Sequence, residues 1–267
     1  MSKIKGISIA DIREHFEFVD DPDAVERAQR NPALRAALRW LRPPNWHGSG
    51  LTPEQVLPIA SESGIPVAWV PPRSVLIGLA AAEPKMRVAA LMAFERAVLD
   101  DCKSVLEECD DPELHDSRTL AGRAVCAFES GHHEAAMALA VAVAEQPAIW
   151  ASERRVEAFL DDDEQEAYEK AIRKKYSLAT SELEVFETRR SRSPYDVPRR
   201  ALLSPIPKFF KKFYPEQGDA VPETASRHAT VHQPTIEHLS RENSLLAIML
   251  CSSLLREQQA WILEVRD

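Results

Sequence analysis

The sequence predicts an all-α protein built as a helical bundle. From about Arg73 onward, apolar residues recur at intervals of three and four, which is the spacing of one face of an α-helix. No convincing pattern of alternating apolar and polar residues, typical of strands, occurs in that region. Two runs, 135–144 and 245–251, are apolar around the whole helix, so they predict helices buried within the bundle.

The first 72 residues have a different composition and are predicted to form a small N-terminal region whose role the sequence does not indicate. They are rich in proline and contain Trp40, Trp46 and Trp69. Short helices are expected at about 23–41 and 53–63, with little sheet. We therefore place the domain boundary after residue 72 and expect a helical region over 73–267.

Five longer helices are predicted in the helical region, separated by short breaks. Gly131 marks one break, and the acidic run 161–164 is expected to begin the fourth helix, where carboxylates favourably oppose the helix dipole. Six prolines between residues 191 and 222 exclude a continuous helix and predict a long, partly extended loop. The predicted helices are 85–108, 117–129, 132–151, 163–190 and 240–265.

The composition excludes several classes of protein. There is no apolar run of 18 residues and no secretory leader pattern at the amino terminus, so we expect a cytoplasmic protein that does not enter a membrane. The four cysteines include no Cys-x2-Cys pair, which argues against a zinc knuckle and a disulfide framework. Neither of the two common glycine-rich phosphate loops is present, and no cofactor is expected.

The net charge of −9 conceals a basic segment. Residues 170–212 carry twelve basic and four acidic side chains. At the end of this segment Lys208, Lys211 and Lys212 alternate with aromatic residues, so the lysines are candidates for RNA phosphates and the rings for unpaired bases. The alternative, which the frequency of charged surfaces favours, is a solvated turn whose phenylalanines pack on the core.

The candidate catalytic residues are Arg227, His228 and His232. If this segment is helical, the two histidines lie on one face with the arginine beside them, and Pro234 requires the helix to end near Gln233. RNA cleavage without a metal needs a base for the 2′-hydroxyl, an acid for the leaving oxygen and a cation for the charged phosphorane. Imidazole serves as base or acid near neutral pH, and guanidinium binds phosphate.

The sequence Arg227-His228-x3-His232 resembles the R-x4-6-H motif of the HEPN superfamily. Asn243-Ser244-Leu245 is similar to the Asn-Ala-Leu that opens a long apolar helix in several of its families, and 127–136 is similar to the glycine-interrupted helix pair before the motif. The chain departs from those families at Ser226, where Asn is usual, and at Gln233, where Gly is usual.

The resemblance implies a HEPN-like bundle over about 117–265, interrupted by the loop 191–222. It also implies a homodimer that joins two motifs and cleaves RNA without a metal, in a toxin, abortive-infection or antiviral defence role, with an antitoxin or regulatory protein as a possible partner. Arg227 would bind the phosphate, His232 would act as general base or acid, and His228 would assist.

Three alternatives stay open. Arg227 and the two histidines can simply cap a helix and bond across the bundle. His228, His232 and His238 can bind zinc, although the usual glutamate of a His-Glu-x-x-His hydrolase is replaced by Ala229 and no metal site is expected. Finally, the protein can be a non-catalytic RNA- or protein-binding helical module.

Overall fold

The computed structural model describes residues 44–46, 48–157 and 196–266. Within these ranges the protein is all-α, as the sequence predicts, and no described residue lies in a strand. The helices predicted at 23–41 and 163–190, with the acidic run 161–164, lie outside the described residues. The described α-helices are α1 (Pro53–Ser61), α2 (Arg73–Ala81), α3 (Arg87–Met92), α4 (Glu95–Glu107), α5 (His115–Glu129), α6 (His133–Glu157), α7 (Asp196–Leu203), α8 (Ile206–Phe209), α9 (Arg227–His232) and α10 (Arg241–Arg266).

Helix α10 is the centre of the bundle. It packs along α6 and also contacts α4 and α5. Every residue from Asn243 to Arg256 is buried, which confirms the burial predicted from the apolar run 245–251. A helix buried on all sides gains most of its stability from packing, since helix propensity alone is weak.

Helices α5 and α6 form an antiparallel pair joined at Gly131. This glycine has a φ of 81°, a left-handed conformation that glycine adopts without steric cost. The Gly131 and His132 N–H groups donate to the carbonyls of Phe128 and Ala127, which closes the end of α5. The burial predicted from the run 135–144 of α6 is only partly correct, because Ala135, Ala138 and Ala142 are exposed on one face.

The single helix predicted at 85–108 is wrong, because the chain is divided into a 3-10 turn (Pro84–Met86), α3 and α4. The break lies at Phe94, whose backbone leaves the helical region and whose side chain is exposed. The two pieces pack on different partners: α3 lies on α2, whereas α4 lies on α5 and α10. The periodicity of the sequence shows one continuous apolar stripe. It does not show that the two halves of this stripe pack on different helices.

The partly extended loop predicted at 191–222 is also wrong over much of 196–217, which contains α7, α8 and a 3-10 turn (Pro215–Gln217). The prolines permit these helices because they lie in or just before a first turn, where the backbone N–H needs no intrahelical partner. Helix α7 packs on α1 and α6, so this segment is part of the bundle.

Residues 48–72 contribute to the same hydrophobic core as the helices that follow. The Ser253 hydroxyl of α10 donates to the carbonyl of Ala68 at 2.6 Å. Next along the chain, Trp69 has a φ of 69° and is buried. Its indole N–H donates to Glu257 at 3.0 Å, and the Arg256 guanidinium lies 4.4 Å from the centre of its ring. The second half of the N-terminal region is therefore attached to the middle of α10.

None of the helices in the described ranges combines the length and apolar character that crossing a membrane requires.

Candidate functional site

The candidate catalytic motif forms α9, a helix of six residues, 227–232. Ser226 begins the helix: its backbone is extended, and its Oγ accepts a hydrogen bond from the Ala229 N–H at 3.3 Å. The helix ends at Gln233, whose φ is −140°, as the following Pro234 predicts. The motif is thus helical and ends where the sequence indicates.

Ser226 also attaches α9 to the basic segment. Its Oγ donates to the Lys211 carbonyl at 3.0 Å, and the side chain is fully buried. Two residues further along, the Phe213 N–H donates to Nδ1 of His228 at 3.3 Å. Residues 211–213 therefore run beside the start of α9, so the structure joins two features that the sequence presents separately.

Arg227 is held between two side chains. Its Nε donates to Oε1 of Glu145 on α6 at 3.1 Å, and its Nη2 forms an ion pair with the same oxygen at 3.0 Å. Its Nη1 donates to Nε2 of His232 at 2.8 Å. The side chains of Arg227 and Glu145 are 20% and 19% exposed, so this ion pair is partly shielded from water and weakly screened.

The two imidazoles of the motif lie against each other, with ring centres 5.0 Å apart. His232 is exposed at the end of α9, whereas His228 is half-buried. The rings of Tyr214 and His228 pack edge to face, with 5.0 Å between their centres. We use the name Arg–His cluster for Arg227, His228 and His232.

The surroundings of His228 favour its neutral form. Burial lowers its pKa, and the nearby positive charges of His232, Arg227 and Lys212 lower it further. The Phe213 N–H donates to Nδ1, which a protonated ring could not accept. Neutral His228 therefore carries its proton on Nε2 and can act there as a hydrogen-bond donor.

The three candidate RNA-binding lysines lie in different surroundings. Lys211 and Lys212 are exposed next to the Arg–His cluster. Lys208 instead donates through Nζ to the Glu62 carbonyl at the end of α1. The rings of Phe209, Phe210 and Phe213 are buried, as the alternative interpretation of this segment predicts. The ring of Tyr214, in contrast, packs on His228 of the cluster.

The three histidines considered as zinc ligands do not form a common site. His238 is fully buried, and its ring nitrogens lie 3.3 Å from Thr230 Oγ1 and from the carbonyls of Pro222 and Ser226. No group of three side chains suited to a metal ion occurs within the described ranges. His238 therefore stabilises the connection between α9 and α10.

Sequence reasoning missed two side chains at the cluster, Glu145 and Tyr214. Glu145 follows the apolar run 135–144 and is 82 residues from Arg227. A carboxylate directly after this apolar run, in the middle of α6, was a usable signal, because a buried charge requires a partner. The identity of that partner depends on how α9 packs on α6, which the sequence does not show.

Comparison with protein families, with curated proteins and with solved structures finds no match for this chain. The fold and the site define an all-α protein with a partly exposed Arg–His cluster beside two exposed lysines.

Proposed function

We propose that this protein is a metal-independent endoribonuclease of the HEPN type. The observation that supports the proposal best is the contact of 2.8 Å between Arg227 Nη1 and His232 Nε2, with His228 packed on His232. One permanent cation and two imidazoles thus lie within reach of one phosphodiester. Lys211 and Lys212 add positive charge beside them, which favours a polyanionic substrate.

In this mechanism Arg227 turns from Nε2 of His232 to the substrate phosphate, and the freed Nε2 takes the proton of the ribose 2′-hydroxyl. The 2′-oxygen then attacks the phosphorus, and the bond from phosphorus to the 5′-oxygen breaks. An imidazolium gives the leaving oxygen its proton, so the products are a 2′,3′-cyclic phosphate and a 5′-hydroxyl. Arg227 stabilises the negative charge that develops on the phosphorane.

His228 takes a different part. Its Nδ1 is occupied by the Phe213 N–H and its pKa is lowered by burial first, so it is neutral at pH 7. A neutral imidazole is a poor general acid, yet its Nε2–H can donate to a non-bridging phosphate oxygen. His228 therefore assists by binding the phosphate.

A second copy of the chain supplies the missing acid. Within one chain the cluster offers one imidazole as base and one as a neutral donor, so the protonated imidazole comes from the other copy, whose His232 is released from Arg227 and carries a proton on both nitrogens. In this proposal the cluster lies at the dimer interface, and Val231 and Ile236, which are 50% and 78% exposed, provide apolar contacts there. The cellular role we propose is toxin-like or antiviral growth arrest in the cytoplasm, restrained by an antitoxin or another regulatory protein.

One observation favours a second candidate function, a non-catalytic RNA-binding module. Lys211 and Lys212 are exposed and each is presented by a backbone that is fixed to α9. A binding module depends on these lysines and its affinity falls steeply as the salt concentration rises. It does not depend on proton transfer by His232.

RNA cleavage in EDTA tests the proposal. The full-length protein is incubated with a pool of single-stranded RNA, beside Arg227→Ala and His232→Ala. We expect cleavage to 2′,3′-cyclic ends and a loss of about 10²–10⁴-fold in each variant, because each removes one catalytic group. Arg241→Ala and His132→Ala, which change exposed residues outside the cluster, should cleave normally.

Two results would contradict the nuclease. Intact RNA after incubation with the native protein would exclude it, and RNA retained on a filter only when Lys211 and Lys212 are present would then establish the binding module. Cleavage that persists in both cluster variants would assign the activity to other residues. Circular dichroism of each variant shows whether the fold is kept.

A further inference from the structure

Glu145 determines which edge of the Arg227 guanidinium faces His232. Its Oε1 accepts from Nε and lies 3.0 Å from Nη2, which holds the edge of the guanidinium with these two nitrogens toward α6. The opposite nitrogen, Nη1, is then directed at Nε2 of His232 at 2.8 Å. The three side chains form a chain of hydrogen bonds from the partly shielded carboxylate to the exposed imidazole.

This geometry decides the position of the proton on His232. A guanidinium has only donors, so the nitrogen that it contacts must accept. Nε2 of His232 is therefore unprotonated while the contact exists, and a neutral ring carries its proton on Nδ1. A free histidine favours the opposite tautomer, in which Nε2 carries the proton. The surroundings of His232 must therefore supply the difference in free energy between the two tautomers.

We propose that Glu145 is a positioning residue that acts through Arg227 to keep Nε2 of His232 unprotonated. Its catalytic value rests on the proposed nuclease, in which Nε2 is the atom that takes the 2′-hydroxyl proton. The effect of Glu145 on the tautomer is independent of the proposed nuclease function. Glu145 touches neither the substrate nor the reacting atoms in this scheme.

A different result is expected if the ion pair of Glu145 with Arg227 only stabilises the fold. The pair is partly buried, so its removal lowers stability in either case. A stabilising role alone leaves the proton of His232 where it was. The tautomer therefore separates the two roles, whereas a melting temperature does not.

The test is nitrogen NMR of the imidazoles in the full-length protein at a pH where His232 is neutral, with His232→Ala to assign its signals. In the native protein we expect Nε2 of His232 to show the shift of an unprotonated nitrogen. Glu145→Gln keeps an oxygen that can accept from Arg227 and should keep this tautomer. Glu145→Ala should move His232 to the Nε2–H tautomer.

Glu129 provides the matched control. It is a glutamate that links two helices through Arg96 and Lys103 at 3.1 and 2.6 Å, away from the cluster, and its side chain is 24% exposed. Glu129→Ala should leave the His232 signals unchanged. The proposal is overturned if native His232 has the Nε2–H tautomer, if Glu145→Ala keeps the native tautomer, or if Glu145→Gln loses it.

RNA cleavage by the same proteins separates this inference from the proposed function. We expect Glu145→Ala to lower kcat by about 10–100-fold with little change in KM, as for other residues that orient a catalytic group, and Glu145→Gln to retain most activity. An expected tautomer shift together with no cleavage by the native protein would refute the nuclease and leave the positioning role intact. Cleavage by the native protein, together with an unchanged His232 tautomer in Glu145→Ala, would support the nuclease and refute the positioning role.

Discussion

His228, His232 and His238 lie within eleven residues of each other and have three different environments. His232 is exposed and accepts from an arginine, His228 is half-buried against Tyr214, and His238 is fully buried. Burial lowers the pKa of both His228 and His238, because a charged imidazole loses its hydration. The chemistry of each histidine follows from its neighbours and not from the motif.

The pKa of His228 is expected to lie below the ordinary value of 6.5 for histidine. Removing a neighbouring positive charge with Lys212→Ala should raise it, and Arg227→Ala should raise it as well. Burial, the largest cause, is unchanged in the first variant, so the pKa should stay below the ordinary value there. An NMR titration of the imidazole protons measures each pKa. The control is Lys85→Ala, which removes an exposed lysine far from His228 in the sequence. A pKa of His228 above 6.5 in the native protein would contradict the structure.

Asp101 gives the protein a pH-dependent stability. Burial, and to a smaller extent the nearby Glu108, raises its pKa to about 6 from 3.8. The folded protein therefore binds this proton more tightly than the unfolded chain does. The stabilisation by the protonated form is complete below about pH 4 and is lost as the pH rises to about 6.

Asp101→Asn should therefore raise the free energy of unfolding at pH 7 and leave it unchanged at pH 4. One pKa unit corresponds to about 1.4 kcal/mol, and partial exposure to solvent reduces the expected gain to about 1–2 kcal/mol. Urea denaturation at the two pH values measures it. Asp100→Asn, a change at an exposed neighbour, is the control. An equal gain at both pH values would show that ionisation is not the cause.

At the scale of helices, Ser226 is the residue on which α9 depends. Ser226→Ala removes the cap of the helix and leaves the Lys211 carbonyl without its donor. We expect a loss of about 2 kcal/mol in the free energy of unfolding, from the cap and the unsatisfied carbonyl together. Ser130→Ala, at the exposed end of α5, should cost much less. Equal losses in urea denaturation would contradict this role of Ser226.

Some of these elements could be predicted from the sequence for clear physical reasons. Helices α5 and α10 begin and end within two residues of the predicted bounds, because strong apolar periodicity and Gly131 mark them. The end of α9 follows from Pro234. The break at Phe94 could not be predicted, since it arises from packing of α3 and α4 on different helices. Nor could the pair of Glu145 with Arg227, which depends on how α9 lies on α6.

At the scale of the whole molecule, the part of the chain described before Arg73 contributes buried residues to the core of the bundle. Trp46 donates its indole N–H to the Val67 carbonyl at 2.7 Å, and both side chains are buried, as is Ile65. Each large apolar side chain contributes about 1.5–3 kcal/mol when buried. Their sum is comparable with the net stability of a protein, about 5–15 kcal/mol.

A truncated protein that begins at Arg73 should therefore fail to unfold cooperatively. The physical reason is the loss of the apolar residues that cover α10 on this side. Thermal unfolding followed by circular dichroism, with the full-length protein as reference, measures the transition. The full-length Ser253→Ala protein, which loses only the hydrogen bond to Ala68, should keep a sharp transition at a lower temperature. A cooperative transition of the truncated protein at the native midpoint would show that the two parts fold independently.

Trp69 places two demands on one position that few side chains meet together. Its left-handed backbone favours glycine or asparagine, whereas the Arg256 guanidinium and the Glu257 carboxylate require an aromatic ring with an N–H donor. A single substitution meets one demand by failing the other. As the sequence diverges in evolution, residues 69, 256 and 257 should consequently be kept together or change together. This correlation provides a signature for recognising distant relatives of this chain.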